Sequence, residues 1–283
     1  MKCDLCPRKC LVDRKKGEKG ICGQTENLKV ARAALHFWEE PCISGDAGSG
    51  AVFFSGCPLH CVFCQNENIA NGTVGKEIAL ERLVDIFLEL QEKRANNINL
   101  VTPGHFVPQI VKALDQARRE GLTLPVVYNT SSYETVDTIK MLEGYVDIYL
   151  PDFKYMSPVL SKKYSHAPDY AEVAKAAIAE MVRQTGKAVF VNGDEDNLIL
   201  SGTIVRHLTL PGCMADSMQI LKYLHETYGD MIYISIMNQF TPLSNLEKYP
   251  ELNRRITDEK YETLVDYAIE IGIENGFIQE GDT

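Results

Sequence analysis

The chain reads as an α/β protein: an open (β/α)6 partial TIM barrel over residues 51–283 behind a cysteine-rich metal-binding arm over residues 1–50. Three observations predict this. From residue 51 onward, short apolar runs alternate with stretches of helical periodicity six times. The first of these runs leads straight into three cysteines, Cys57, Cys61 and Cys64. Ahead of it, some forty residues show little periodicity but hold four clustered cysteines.

Each element follows from its own pattern. Residues 51–55, Ala-Val-Phe-Phe-Ser, are a continuous apolar run too short for a helix and read as a strand. Residues 78–94 carry apolar side chains at helical spacing. Residues 98–101 form the next strand and 106–119 the next helix, with Gly121 as its stop. A strand over 126–128, a helix over 134–142 and a strand over 146–150 follow, and the alanine-rich stretch 170–184 is helical. Residues 188–191 and 198–200, joined by the turn-rich 192–197, read as a hairpin ahead of a strand over 204–210. Helix 217–228, strand 232–236, helix 258–271 and a short strand over 277–279 complete the chain. Strands alternating with helices imply a parallel sheet with right-handed crossovers. Six units fall short of the eight that close a barrel, so the barrel is expected to stay open.

With 45% hydrophobic residues in a chain of 283, there is ample material for one large core. A formal charge of −10 argues against nucleic acid and anionic membrane as partners. No apolar run is long enough to span a bilayer, and none near the start would serve as an export signal. Nine cysteines in that setting read as metal or redox ligands in a reducing cytoplasm, not as disulfides. The glycines of 45–50 are irregular and lack Gly-Lys-Ser, which excludes a P-loop.

Cys57, Cys61 and Cys64 are spaced C-x3-C-x2-C. Thiolates are soft ligands for zinc, copper(I) or iron–sulfur clusters. A structural zinc takes four ligands and a four-iron cluster has four irons to ligate. Three local cysteines therefore need a distant fourth ligand, or they leave one iron open for chemistry. Cys3, Cys6, Cys10 and Cys22 form a second set, C-x2-C-x3-C-x11-C, which fits structural zinc or an auxiliary iron–sulfur cluster. The polar segment between them cannot build a core, so a metal would supply the ordering energy.

The loop from Gly56 to Asn66 resembles the radical S-adenosylmethionine (SAM) superfamily. So do Glu39-Glu40-Pro41-Cys42-Ile43-Ser44-Gly45 and Gly48-Ser49-Gly50 upstream of it. Within the superfamily the chain is similar to an uncharacterised branch akin to pyruvate formate-lyase-activating enzymes. Cys3-Asp4-Leu5-Cys6-Pro7-Arg8-Lys9-Cys10 and Gly20-Ile21-Cys22-Gly23 resemble a metal site common to that branch. The resemblance implies an oxidoreductase in which Cys57, Cys61 and Cys64 ligate a [4Fe–4S] cluster and SAM chelates the open iron. Reductive cleavage of SAM then yields a 5′-deoxyadenosyl radical that abstracts hydrogen from a protein or peptide, as in activation of a glycyl-radical enzyme. Electrons are expected from a flavodoxin or ferredoxin. A small-molecule substrate, or a non-catalytic iron–sulfur electron-transfer protein, are the alternatives.

In such a barrel the residues just after each strand line the ligand face. The resemblance places SAM contacts at Gly104 after the second strand, at Asn129 and Ser131 after the third, and at Arg206 on the fifth. Asp152 and Lys154 follow the fourth strand two residues apart, so they share a face and offer opposite charges to the zwitterionic methionine of SAM. Ser131 or Ser132 is also a candidate N-cap for the helix that follows. His105, Cys213, Gln239 and Phe240 stand near the same face. The Glu39-Glu40 pair either serves the site or, more commonly for such a run, is solvated.

Overall fold

The computed structural model describes residues 2–193, 197–244 and 246–279, so part of the turn expected over 192–197 lies outside it. The sheet is built from β1 (Lys29–His36), β2 (Ser49–Phe54), β3 (Lys76–Glu77), β4 (Ile98–Val101), β5 (Val126–Thr130), β6 (Ile148–Pro151), β8 (Ile199–Leu208), β9 (Tyr233–Met237) and β10 (Gly276–Ile278). Their order is β10-β9-β8-β6-β5-β4-β2-β1-β3, with the short β7 (Val189–Phe190) paired antiparallel to the start of β8. The run from β2 to β10 is parallel, and β1 and β3 add an antiparallel edge. The sheet does not close. It is a mainly parallel, open partial barrel.

Helices cover the outside. Val52, Phe54, Leu100 and Tyr128 point outward against α3 (Leu80–Glu92) and α4 (Val107–Arg119), where Leu83, Phe87, Ile110 and Leu114 are fully buried. Each such side chain contributes on the order of 1.5–3 kcal/mol by leaving water. Val205, Ile234 and Ile236 do the same against α7 (Tyr170–Thr185), α8 (Met214–Tyr228) and α9 (Asp258–Glu270). Alternate residues along the same strands, Val127, Ile148, Leu150, Ile204 and Tyr233, pack inward on Cys42 and Ile43 of the short α1 (Pro41–Ser44). The strands are thus buried on both faces, which is why they read as continuous apolar runs. Among the described residues no helix is long and apolar enough to cross a membrane.

Several boundaries differ from the sequence reading. β8 is one ten-residue strand, not two pieces, because Gly202 is a close approach and not a turn. Its φ is 143°, and a Cβ there would lie 2.8 Å from Ala188 Cα. β1 was invisible because Lys-Val-Ala-Arg-Ala-Ala-Leu-His has no clean alternation. It pairs with β2 across residue 50, where the arm was expected to end. α5 (Val136–Lys140) starts after Glu134 and is capped by Thr135, whose side chain accepts from the Thr138 amide at 3.2 Å, not by Ser131 or Ser132. A helix over Pro158–Ser165 (α6) was missed, although Ser157 caps it and proline occupies its first turn. The four-residue α2 (Glu67–Ala70) follows the cysteine loop.

Candidate active site

The three-cysteine loop leaves β2 through Gly56, whose φ of 92° suits glycine. A Cβ at Gly56 would collide with the Cys22 carbonyl oxygen, so the loop sits directly on the N-terminal arm. Phe63 seats the loop on the barrel, its ring 6.1 Å from Phe240 and 6.5 Å from Tyr155. The Ser165 hydroxyl donates to Cys61 Sγ at 2.9 Å. Burial pushes the Cys57 thiol up to about 12, and those of Cys61 and Cys64 rise for the same reason. Acting against burial, the Leu59 and His60 amides hold Cys57 down, the Asn66 amide does so for Cys64, and Lys154 lies close enough to Cys61 to stabilise its thiolate. Buried thiols met by backbone N–H groups and a neighbouring cation are a donor set that a cationic iron–sulfur centre fits.

Across the mouth from this loop lies a buried polar network. Arg206, near the C-terminal end of β8, points inward and donates to three partners: Asp152 Oδ1 at 3.0 Å, Glu39 Oε2 at 2.9 Å and Asn129 Oδ1 at 2.6 Å. Lys154 donates to Asp152 Oδ2 at 2.7 Å. Asn99 and Asn129 both donate to Glu39 Oε1, at 3.1 and 3.2 Å. Burial alone would raise the Asp152 carboxyl, but Lys154 and Arg206 beside it hold it below the usual range. Burial likewise opposes the charge on Lys154, and Asp152 and Cys61 more than offset it. The Ser132 hydroxyl donates to the Asp152 carbonyl at 2.6 Å, and the Tyr170 hydroxyl lies 2.9 Å from the same oxygen. The Asp152-Phe153-Lys154 segment is therefore gripped from two elements. Glu40 is also buried, and burial raises its carboxyl. Glu40 Oε2 and Asn99 Oδ1 have no hydrogen-bond partner among the described residues, which leaves two buried acceptors for a donor-bearing ligand.

A sequence profile of the Radical SAM superfamily matches residues 51–197, the segment that runs from β2 past α7. The chain belongs to the radical SAM superfamily. Membership implies a [4Fe–4S] cluster with SAM as the cofactor pair. An uncharacterised protein of Methanocaldococcus jannaschii is 27% identical over 275 residues, covering 94% of this chain and 74% of that one. Among solved structures, a radical SAM methyltransferase from Sphaerobacter thermophilus superposes with a TM-score of 0.54 at 14% identity, over 82% of this chain and 66% of its own. SuiB of Streptococcus suis bound to S-adenosylmethionine gives 0.54 at 13%, over 79% and 48%. The chain thus spans about half to two thirds of the length of these solved structures, and the likeness is one of fold.

The remaining candidate positions of this radical SAM chain separate into two groups. Asn129, Asp152, Lys154 and Arg206 are brought together. Gly104 and Ser131 are not part of that network. Gly104 lies against the Glu134 carboxylate, which a Cβ would overlap, and Ser131 offers its carbonyl to Tyr170 at 2.8 Å. His105 is buried, bonded through Nε2 to the Ser55 carbonyl, and burial lowers it to about 4. Cys213 occupies the N-cap position of α8 without a side-chain capping bond, and burial raises its thiol to about 11; Cys42 rises to about 12 in the barrel floor. Nearby carboxylates, Asp216 and Glu251 for Cys213 and Glu40 for Cys42, raise both thiols further. Phe240 packs on Phe63, and the Gln239 carbonyl accepts from Gln65 at 3.3 Å. Glu39 and Glu40 are not solvated: both carboxylates sit inside the barrel.

In the arm, Cys22 is buried and Cys3, Cys6 and Cys10 are half-buried. The Ile21 amide donates to Cys10 Sγ at 3.3 Å. Among the described residues no three His, Cys, Asp or Glu side chains converge on a single metal ion. Within each cysteine set the thiols are nevertheless close enough to perturb one another: Cys6 feels Cys22 and Cys10, and Cys57 feels Cys61 and Cys64.

Proposed function

We propose that this radical SAM protein generates a 5′-deoxyadenosyl radical and uses it to abstract hydrogen from a protein or peptide, in the manner of a glycyl-radical-enzyme activase. When bound at Cys57, Cys61 and Cys64, the cluster and SAM supply the one-electron cleavage; the protein supplies binding, orientation and exclusion of water. Lys154 carries the assignment. It bonds Asp152 and lies within electrostatic reach of Cys61, so a carboxylate held by its ammonium would lie near the cysteine loop. Asp152, fixed by Arg206, Ser132 and Tyr170, is placed to accept from an ammonium group. The unpaired acceptors on Glu40 and Asn99 suit further donors of a ligand entering the barrel.

The open sheet leaves the mouth accessible to a macromolecular substrate, and a cavity of about 450 Å³ opens beside Cys64. Gln65, Glu67, Asn68, Leu243 and Ser244 line it, between the loop after β2 and the loop after β9, strands near opposite edges of the sheet. The Asp152-Phe153-Lys154 segment is similar to the Asp-Leu-Lys of activating enzymes, and this similarity favours the activase form of the reading.

The test uses extract from cells grown on glycine deuterated at Cα, divided into macromolecules and small-molecule filtrate. Each fraction is added to the reduced holoprotein with SAM. Deuterium in 5′-deoxyadenosine with the macromolecular fraction is expected; stimulation by the filtrate alone contradicts a protein or peptide substrate.

A further inference from the structure

The donors that reach the thiols of the loop differ in kind. Backbone amides serve Cys57, from Leu59 and His60, and Cys64, from Asn66. Cys61 is also reached by a side chain, the Ser165 hydroxyl, 2.9 Å from its Sγ. Ser165 is fully buried, and the hydroxyl of the equally enclosed Tyr155 lies 2.8 Å behind it. A serine hydroxyl has one hydrogen to give. With that hydrogen spent on Cys61, Tyr155 must donate to Ser165 Oγ. The three groups form a directed chain from Tyr155 through Ser165 to Cys61.

The surrounding structure aims this chain. Ser165 ends α6, and the last carbonyls of a helix lack partners within it. Arg8 supplies them, donating to the Ser165 and His166 carbonyls at 3.1 and 2.5 Å, while its Nε donates to the Pro58 carbonyl at 2.9 Å. On the other side of Cys61 in the sequence, the Val62 amide donates to the Tyr164 carbonyl at 2.9 Å. The end of α6 is thus stitched to the cysteine loop on both sides of Cys61. Tyr155 is held in turn by Phe63, Tyr164 and Tyr170, with ring centroids 6.5, 6.5 and 5.4 Å away. Ser161, one turn earlier on α6 and just as buried, shows the other course open to a helical serine. Its hydroxyl turns back to the Pro158 carbonyl at 3.3 Å.

Hydrogen bonds to the ligand sulfurs are among the factors that set the potential of an iron–sulfur centre, because they favour its more electron-rich state. A chain of such bonds polarises its members and strengthens the last one. We propose that Tyr155 and Ser165 raise the reduction potential of the centre held by Cys57, Cys61 and Cys64, making its one-electron reduction easier. Both act through Cys61 and are positioning residues. The electron comes from an external one-electron reductant, which is oxidised, and neither hydroxyl gives up its hydrogen. The inference rests on the radical SAM reading of the loop.

The test is a redox titration of the anaerobically reconstituted holoprotein, with the reduced centre read by electron paramagnetic resonance at poised potentials. The signal that Cys61→Ala loses identifies the loop. Ser165→Ala should lower the ratio of reduced to oxidised centre at a fixed potential about tenfold, a midpoint shift of about 59 mV. Tyr155→Phe keeps the bond to Cys61 but not its polarisation, and should lower the ratio about twofold. Ser161→Ala should titrate like the parent, since its hydroxyl is spent within the helix. An unchanged midpoint in Ser165→Ala, or an equal fall in Ser161→Ala, overturns the proposal. Should Ser165→Ala fail to load iron, Tyr155→Phe decides: a lowered midpoint supports the chain and an unchanged one overturns it. A parent with no Cys61-dependent signal would instead remove the radical SAM reading on which the proposal stands.

Discussion

Replacing Arg206 by methionine removes the cation that two buried carboxylates share. Arg206 bonds Asp152 and Glu39 at 3.0 and 2.9 Å, and the three side chains are 13%, 17% and 7% exposed in the order Arg206, Asp152, Glu39. Breaking a buried ion pair from one side costs about 3–5 kcal/mol, because the stranded charge remains desolvated. That is a large part of the roughly 5–15 kcal/mol that holds a typical domain. Adding Glu39→Gln should recover about 1–3 kcal/mol by removing one stranded charge, a non-additivity that a double-mutant cycle measures. Acidity gives a second signature. In the parent, the Asp152 carboxyl is held below its ordinary value, so its contribution is complete above the ordinary aspartate range and is lost as pH falls through the lowered value. Without Arg206 that carboxyl is held down less strongly, so the variant gains less from its ionisation. Its deficit against the parent should therefore narrow as pH falls below the ordinary aspartate range. Urea denaturation followed by circular dichroism reads all three effects. A deficit below about 1 kcal/mol, or no recovery with Glu39→Gln, would refute the network as a charge-balanced unit.

Three further outcomes follow from the same geometry. Lys154→Met should keep its iron yet bind SAM about 10- to 100-fold more weakly in anaerobic equilibrium dialysis, the loss of one charge-assisted contact; unchanged affinity would remove Lys154 from the site. Burial raises the Glu134 carboxyl from 4.5 to about 7, with the Thr130 and Tyr128 hydroxyls opposing it. The stability that this group contributes is complete below 4.5 and falls away as pH rises toward 7, by about 3 kcal/mol in all. Glu134→Gln should flatten that slope, and calorimetry at pH 5 and pH 8 would show a parent-like slope if the assignment is wrong. Gly56→Ala forces a side chain into a positive φ and onto the Cys22 carbonyl. It should cost about 1–3 kcal/mol and release iron from the loop, and a variant with full iron and an unchanged melting temperature would show that the arm and loop are not tightly joined.

The site was legible in sequence wherever chemistry and position coincide. C-x3-C-x2-C announces its ligands by spacing, and Asp152, Lys154 and Arg206 fall where strand ends must face the barrel mouth. Glu39 and Glu40 were hidden because two adjacent acids look like a solvated turn. Only the fold shows that α1 buries Cys42 and Ile43 in the barrel floor, leaving the acids just before it inside. Arg8 was hidden for another reason: its partner Pro58 is fifty residues away, and no local pattern encodes that contact. The serines after β5 read as helix caps, yet Ser132 braces Asp152 and Thr135 caps the helix. In the fold, periodicity located the central strands well, while β1, rich in alanine and charge, gave no period to read.

The central claim is that the loop of Cys57, Cys61 and Cys64 supports reductive cleavage of SAM, and one anaerobic measurement bears on it most directly. The reconstituted protein is reduced with dithionite, given SAM, and assayed for 5′-deoxyadenosine and methionine beside its Cys61→Ala variant. The account predicts both products from the parent and neither from the variant. A parent that carries its iron–sulfur absorbance yet forms no 5′-deoxyadenosine would contradict it.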